Sequence, residues 1–571
     1  MKRLTCFALL FAFAGTGFAD QKWWSGSNDH KFGADVKNTD SNANVTTVIQ
    51  FYNTPSNALL KAIGVNGNGN LKNSFKQFKG GVFTIPAGQL KKIADMPEVK
   101  FISLDRVLRA KLDTVTASTG ADLARQYGFT GKGVGVAILD SGVNDNVADL
   151  KDGNNRSRVV YSESFIGSGS GDPYGHGTHV AGIIGSNGSN SKGKNRTFRG
   201  IAPDVQIVSL RVLDENGVGT DAAVIAAIDR AIELKNLYNI RVLNLSVGRP
   251  VLESYDDDPL CDAVEDAWKA GIVVVVSAGN DGRDNSMGNQ GYGTITSPGN
   301  DPYVITVGAM KTAGTAARGD DAIASYSSKG PTLGDHFVKP DLVAPGNRVV
   351  SLRSPGSMLD RAYPLNDVWP IMYGAGLGYP VYYTMSGTSM AAPVVSGAAA
   401  LLLQKDPTLT PDQVKARLMK TASKAFPTTT SVYDAATRTL YTSQYDIFTI
   451  GAGYLDITAA LNSSEKARGS AVSPVAVYDP KTKKVRILPT ATVAGETVAW
   501  LDSVAWGESV VFGASLVDSV AWGESVSVAW GETVAWGQST IAGFDAIWSS
   551  SVAWGDNSAV QEKSVAANGE Q

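Results

Sequence analysis

Three short stretches carry residue types that can do chemistry together: "AILDSGV" around Asp140, "YGHGTHVAG" from Tyr174 to Gly182, and "MSGTSMAAP" around Ser389. The middle stretch holds two of the chain's four histidines, His176 and His179. A zinc-protease helix would separate its histidine ligands by one full turn and place a glutamate between them. Here the spacing is one residue shorter, and no cysteine pair, third histidine or nearby glutamate completes a ligand set, so the pattern disfavours a metal site. Nucleophilic catalysis fits better. A serine hydroxyl needs an adjacent base, and the base needs an orienting acid. One Asp, one His and one Ser, each in a glycine-flanked turn, meet that demand. Ser389 also opens a long apolar helical pattern, where free backbone N–H groups favour a developing negative charge.

Elements able to hold these groups are visible as patterns. From Gly131 onward, apolar runs such as "GVGVAILDSG", "VQIVSLRVLD", "IRVLNLSVG", "IVVVVSAGN" and "YVITVGAM" alternate with helical patterns such as "DAAVIAAIDRAIEL". Continuous Val/Ile/Leu runs predict strands buried on both faces, hence an α/β fold with a mostly parallel sheet between helices. Asp140 closes one such strand, and functional groups collect at the carboxyl ends of strands in open α/β sheets. The run into "SMAAPVVSGAAALLLQK" predicts a helix with Pro393 in its first turn, where proline costs least. Asn280 ends another strand, just before Asp281-Gly282, and read alone it is a turn former.

The remaining segments frame this core. Residues 1–19 have the cations, short apolar run and small residues of a secretory signal peptide. Residues 20–111 read as a small α+β domain, with "VTTVIQFY", "GGVFTIP" and "VKFISLD" as strands and the part before Asn44 too polar to fold. After about Leu461 the motif Val-Ala-Trp recurs, ending at Trp500, Trp506, Trp522, Trp530, Trp536 and Trp554. Val and Trp two apart project from one strand face, and Gly with the following acid suits a turn, which predicts a β-rich repeat tail. Cys6 leaves with the signal, so Cys261 has no intrachain partner and reads as packing. A net charge of −3 disfavours nucleic acid or an anionic membrane as partner, and no segment reaches the roughly 20 apolar residues of a membrane span.

In the order Asp, His, Ser, the three stretches resemble the catalytic signatures of the subtilisin-like serine proteases, the subtilases. The resemblance runs from Asp113 to Asn462. It implies a three-layer subtilisin-like sandwich in which Ser389 is nucleophile, His176 general base and Asp140 the group that orients it, with His179 as scaffold. It further implies that Asn280 donates to the oxyanion, that Ser246-Val247-Gly248 and Ser277-Ala278-Gly279 wall the specificity pocket, and that Gly217-Val218-Gly219 pairs with an extended substrate. The neutral walls favour an apolar or broad preference, with Arg283 and Asp284 near enough in sequence to alter it. No cofactor is implied for the chemistry. The loop where relatives bind structural calcium carries no carboxylate from Ser186 to Gly200. About twenty extra residues, including "RAYPLNDVWPIMYGAGLGYP", precede the serine stretch.

These readings divide the chain into a signal peptide (1–19), an inhibitory propeptide (20–111), a catalytic domain (112–462) and a repeat tail (463–571). The expected protein is a secreted serine endopeptidase, extracellular or held at the cell envelope. Its partners would be protein or peptide substrates and its own propeptide. The alternative is a catalytically weak secreted binding or adhesion protein that uses the tryptophan tail.

Overall fold

The computed structural model describes residues 24, 27–37, 39–66, 69–75, 79–104, 112–286, 288–434, 437–479, 484–488, 490–493, 496–499 and 569–570. The signal segment, residue 111, Trp500 and the five Val-Ala-Trp motifs after it lie outside these residues. The chain divides into two compact units, Met1–Arg109 and Ala110–Gln571.

The first unit is an antiparallel sheet of β1 (Asn44–Phe51), β2 (Asn70–Phe75), β3 (Gly80–Pro86) and β4 (Val99–Leu104), in the order β2-β3-β1-β4. Helices α1 (Asn57–Asn66) and α2 (Leu90–Ala94) complete it. Ile49, Phe51, Leu60, Ile63, Phe83, Ile85, Ile93 and Ile102 form its core. Two expectations change here. Phe32 and Val36, in the stretch judged too polar to fold, are buried in that same core, and the Trp24 indole donates to the Lys37 carbonyl at 2.9 Å. The edge strand β2, "NLKNSF", has too little apolar alternation to be seen in the sequence; it is held by main-chain pairing to β3.

The second unit is built on β5 (Gly135–Asp140), β6 (Val159–Ser164), β7 (Gln206–Arg211), β8 (Ile240–Leu245), β9 (Val273–Ser277), β10 (Ile305–Lys311), β11 (Ala322–Ile323) and β12 (Leu342–Pro345). The order is β11-β10-β9-β8-β5-β7-β6, with β12 also pairing β10; every pairing is parallel except β10 with β11. All residues of β5 and β9 are buried, as two-sided covering demands. Each valine of β9 so buried is worth about 1.5–3 kcal/mol relative to exposure. Helices α3 (His176–Gly185), α4 (Asp221–Tyr238), α5 (Pro259–Lys269), α6 (Met358–Ala362), α7 (Thr388–Lys405) and α8 (Pro411–Thr421) surround the sheet. Helix α7, buried along most of its length, packs against β8, β9, β10 and α3. Pro393, expected in the first turn, is instead the sixth residue of α7 and lies inside the helix; it offers no N–H to the Ser389 carbonyl four residues earlier, which accepts Ser246 Oγ instead.

A second sheet joins β13 (Val349–Leu352), β14 (Asp367–Val368) and β15 (Tyr382–Met385) in the order β13-β15-β14, and a hairpin follows from β16 (Thr429–Asp434) and β17 (Thr439–Gln444). The packed unit does not stop at residue 462. Ala471, Val472, Ser473 and Ala476 are buried, and Ser473 Oγ donates to Asp341 Oδ1 at 2.6 Å while accepting Lys415 Nζ at 3.0 Å. Lys339, Asp341 and Lys415 are fully buried together, the one carboxylate bridging both ammonium groups. No helix among the described residues is long and apolar enough to cross a membrane.

Candidate active site

Strand β5 ends at Asp140, and β8 and β9 run out nearby into Ser246 and Asn280, so three of the singled-out segments leave the same carboxyl edge of the sheet. Between β5 and β8 the strand order reverses, the position where such sheets open a crevice. Helix α3 brings the fourth. Gly175, at φ +103°, precedes it, and His176 is its first residue. A Cβ on Gly177 would lie 2.1 Å from the Gly142 carbonyl oxygen and 3.1 Å from Asp140 Cβ. Only glycine allows so close an approach. As a result, His176 Nδ1 lies 2.7 Å and 2.9 Å from the two carboxylate oxygens of Asp140. Asp140 is 1% exposed, and its Oδ1 also accepts the Ser141 N–H at 2.7 Å.

A further residue organises this pair, and the sequence reading missed it. Asp172 is buried and accepts the Gly175 and Thr178 N–H groups at 2.6 and 2.8 Å, capping the start of α3. It also accepts Ser141 Oγ at 2.7 Å, and Ser141 Oγ accepts the Gly177 N–H at 3.0 Å. Burial pushes the Asp172 carboxyl up, against hydrogen bonds that favour its charged form. One carboxylate thus ties the turn after Asp140 to the helix carrying His176. Its signal was faint: an acid four residues before the histidine, in a Gly/Ser run.

Ser389 is the second residue of α7, and its Oγ donates to the Ser246 carbonyl at 3.3 Å while Ser246 Oγ donates to the Ser389 carbonyl at 3.0 Å. These bonds place the serine at the sheet edge occupied by Asp140. Asn280 is brought to the same turn: its Oδ1 accepts the Thr388 N–H at 2.9 Å and Thr388 Oγ1 at 3.2 Å. A Cβ on Gly387 would lie 3.6 Å from both Oδ1 and Nδ2 of Asn280, so the whole amide group rests against the turn that leads to Ser389. Helices α3 and α7 pack against each other.

The two segments read as pocket walls converge on Thr296. A Cβ on Gly248 would meet Thr296 Oγ1 at 2.6 Å, and one on Gly279 would meet Thr296 Cγ2 at 2.9 Å. Ser277 and Ala278 continue from β9 and are buried, as is Ser246, while Val247 packs against the core. Thr296 therefore lies against both segments, a contact invisible without the fold. The loop holding Gly217-Val218-Gly219 is a tight turn in which Asp214 accepts the Asn216 and Val218 N–H groups at 2.8 and 2.9 Å. Gly217 lies against the ring of Tyr174, whose centroid is 6.3 Å from that of His176. Val218 projects outward, 58% exposed.

Other candidates go elsewhere. His179 is fully buried, and its Nε2 donates to the Val349 and Tyr383 carbonyls, both at 3.1 Å, tying α3 to β13 and β15. Burial, and then the neighbouring His176, push its imidazole down to about 3, so it stays neutral. Arg283 is committed to Ser325 Oγ at 2.8 Å and Asp434 at 2.7 Å, over the Tyr441 ring. Buried Cys261 has its thiol pushed up by burial and is no nucleophile. The extra residues follow a segment tied to the His176 turn, where the Leu359 N–H meets the Tyr174 carbonyl at 3.0 Å, and their Tyr373, like Tyr382 just after them, packs edge-on against Phe198 of the 186–200 loop. Asp149, from outside that loop, accepts Ser186 Oγ, the Tyr382 hydroxyl and the Asn190 N–H at 3.0, 2.7 and 2.7 Å. A carboxylate surrounded by donors does not fit a calcium ion, which needs oxygens that are free to bind it.

A family model, that of the subtilase family, matches residues 131–444. Serine protease AprX of Bacillus subtilis (strain 168) is 38% identical over 365 residues, covering 61% of this chain and 75% of the relative. Subtilisin E of the same organism is 30% identical over 427 residues, 74% of this chain and 92% of its own. An extracellular serine proteinase of Thermus sp. (strain Rt41A) is 32% identical over 370 residues, 63% of this chain and 75% of its own.

Proposed function

We propose, from the premise that the chain belongs to the subtilase family and is a serine endopeptidase, that it cleaves peptide bonds through an acyl-enzyme made on Ser389. In this reading Ser389 Oγ attacks the scissile carbonyl and His176 takes its proton. Asp140 holds the imidazole in one tautomer and stabilises the cation that forms. His176 then protonates the leaving amine, and a water deprotonated by the same imidazole releases the acid product. The observation that carries the reading is the paired contact of Asp140 with His176 Nδ1, at 2.7 and 2.9 Å, which fixes the orientation of the imidazole.

The test is covalent labelling. A serine-directed phosphonate should add one group per chain, on the peptide containing Ser389, and none in a Ser389→Ala chain. A folded chain that takes up no label would sink the proposal and favour the binding-protein alternative.

In this reading the Asn280 Nδ2 donor and the Ser389 N–H hold the tetrahedral oxyanion. Asn280→Leu should lower kcat by about 10²–10³ and leave KM nearly unchanged, because the donor acts on charge that develops only in the transition state. Steady-state kinetics on a short peptide check this, and an unchanged kcat would remove Asn280 from the mechanism.

The neutral space between Ser246–Gly248, Ser277–Gly279 and Thr296 supports an apolar or broad preference, and the exposed Gly217–Gly219 edge an extended substrate. Residues 20–111 act as a leader removed by the same nucleophile, a reading supported by the separate core of the first unit. Export is supported by the pattern of residues 1–19, and recovery of the chain only inside cells would contradict it.

A further inference from the structure

The structure places the far end of the chain in a built cleft that the chemistry does not use. Glu570 is 2% exposed. Its Oε1 accepts Arg283 Nη2 at 3.0 Å, the Ser325 N–H at 2.6 Å and the Ser325 hydroxyl. Its main chain is held as well: Asn347 Nδ2 donates to the Glu570 carbonyl at 2.9 Å, and Asn347 Oδ1 accepts the Glu570 N–H at 2.7 Å. A buried carboxylate is costly unless paired and hydrogen-bonded, and this one is both through Oε1, while its buried Oε2 has no hydrogen-bond partner among the described residues. Arg283 is oriented for it by Asp434 on one side and by the face of the Tyr441 ring, 4.6 Å away, on the other.

The position before the glutamate is equally constrained. Gly569 has φ +59°, and a Cβ there would lie 2.2 Å from Ser386 Oγ. The cleft therefore selects glycine and then glutamate. That dipeptide is distributed unevenly along the chain. Gly495-Glu496, Gly507-Glu508, Gly523-Glu524, Gly531-Glu532 and Gly569-Glu570 are its five occurrences, and none precedes residue 495. Three of them follow directly on a Val-Ala-Trp motif.

We propose that the cleft formed by Arg283, Ser325, Asn347 and Ser386 is a docking site for Gly-Glu dipeptides, occupied by Gly569–Glu570 of the same chain, with the repeats carrying further copies of the ligand. The buried Ala471–Ala476 segment and Glu570, which flank the repeats in the sequence, are then both held by the catalytic unit. The fastening is next to the reacting groups. Arg283 follows Asn280 by three residues, and the Gly387 N–H, two residues before Ser389, donates to the Gly346 carbonyl beside Asn347 at 2.9 Å. The inference does not depend on the catalytic roles proposed above.

Hydrogen exchange at the Ser325 amide reads the site directly, because that N–H is bonded to Glu570. The full chain carrying Ser389→Ala, to prevent self-digestion, is compared with the same chain carrying Glu→Ala at positions 496, 508, 524, 532 and 570. The Ser325 amide should exchange at least about tenfold faster in the second chain. Millimolar Ala-Trp-Gly-Glu-Ser, near the effective concentration of a tethered segment, should restore protection, and Ala-Trp-Gly-Gln-Ser should not. Equal exchange in the two chains, or equal rescue by the Gln peptide, overturns the proposal. So does protection that rises with protein concentration, since the occupant would then belong to a neighbouring copy.

Discussion

Ser389→Ala is expected to lower kcat by about 10⁶-fold while leaving KM for a short peptide nearly unchanged. The magnitude follows from the coupling of the three groups: without Oγ, the His176 base and its Asp140 partner have no proton to take, so the contribution of the whole set is lost together. What survives is the rate supplied by binding and by the oxyanion donors. The local cost to the fold should be small, because Ser389 Oγ makes one 3.3 Å bond to a carbonyl and its main chain keeps the Ser246 contact. The same variant tests self-processing. Produced in a protease-free host, it should retain the leader, since the cut after residue 111 would require the missing nucleophile. Kinetics and intact mass decide both points, and a variant recovered already cut there would show that another enzyme removes the leader.

Asp140→Asn should lower kcat by about 10⁴-fold with the fold intact. The substitution preserves shape and still offers an oxygen to the Ser141 N–H. However, the asparagine NH₂ would face His176 Nδ1, and a donor there favours the tautomer whose Nε2 carries hydrogen. Such an imidazole cannot accept the serine proton, and the imidazolium formed later loses its counter-charge in a buried site. Comparison of kcat with melting temperature separates this from unfolding. A loss of less than about tenfold at unchanged stability would show that Asp140 does not orient the base.

Much of this site was visible in the sequence because each part of it has a local signature. Asp140, Asn280 and Ser246 stand at the ends of unbroken apolar runs, and His176 and Ser389 stand where glycine-flanked turns open helices. Such patterns are short-range and survive reading one chain alone. Asp172 and Thr296 were missed because their roles exist only across the fold: Asp172 joins the Asp140 turn to α3, and Thr296 meets two glycines that are far apart in sequence. The edge strand β2 was missed because a polar strand paired along one side has no alternation to display. Phe32 and Val36 were lost in a polar stretch in which two apolar residues suffice to anchor the chain. The extent of the packed unit beyond residue 462 was hidden by composition. Small residues such as Ala471 and Ser473 look like a linker, yet small residues are what fit beside two buried ammonium groups.

That last arrangement bears on the order in which the molecule is made. Lys339, Asp341 and Lys415 lie on the chain well before Ser473, whose hydroxyl donates to Asp341 and accepts from Lys415. On a ribosome, domains assemble as their residues emerge, N-terminal parts first. A chain ending at residue 462 would contain Asp140, His176, Asn280 and Ser389 but not the hydroxyl that joins Asp341 to Lys415. The charged centre laid down by Lys339, Asp341 and Lys415 is thus completed by a residue that enters the chain after all of the singled-out site residues.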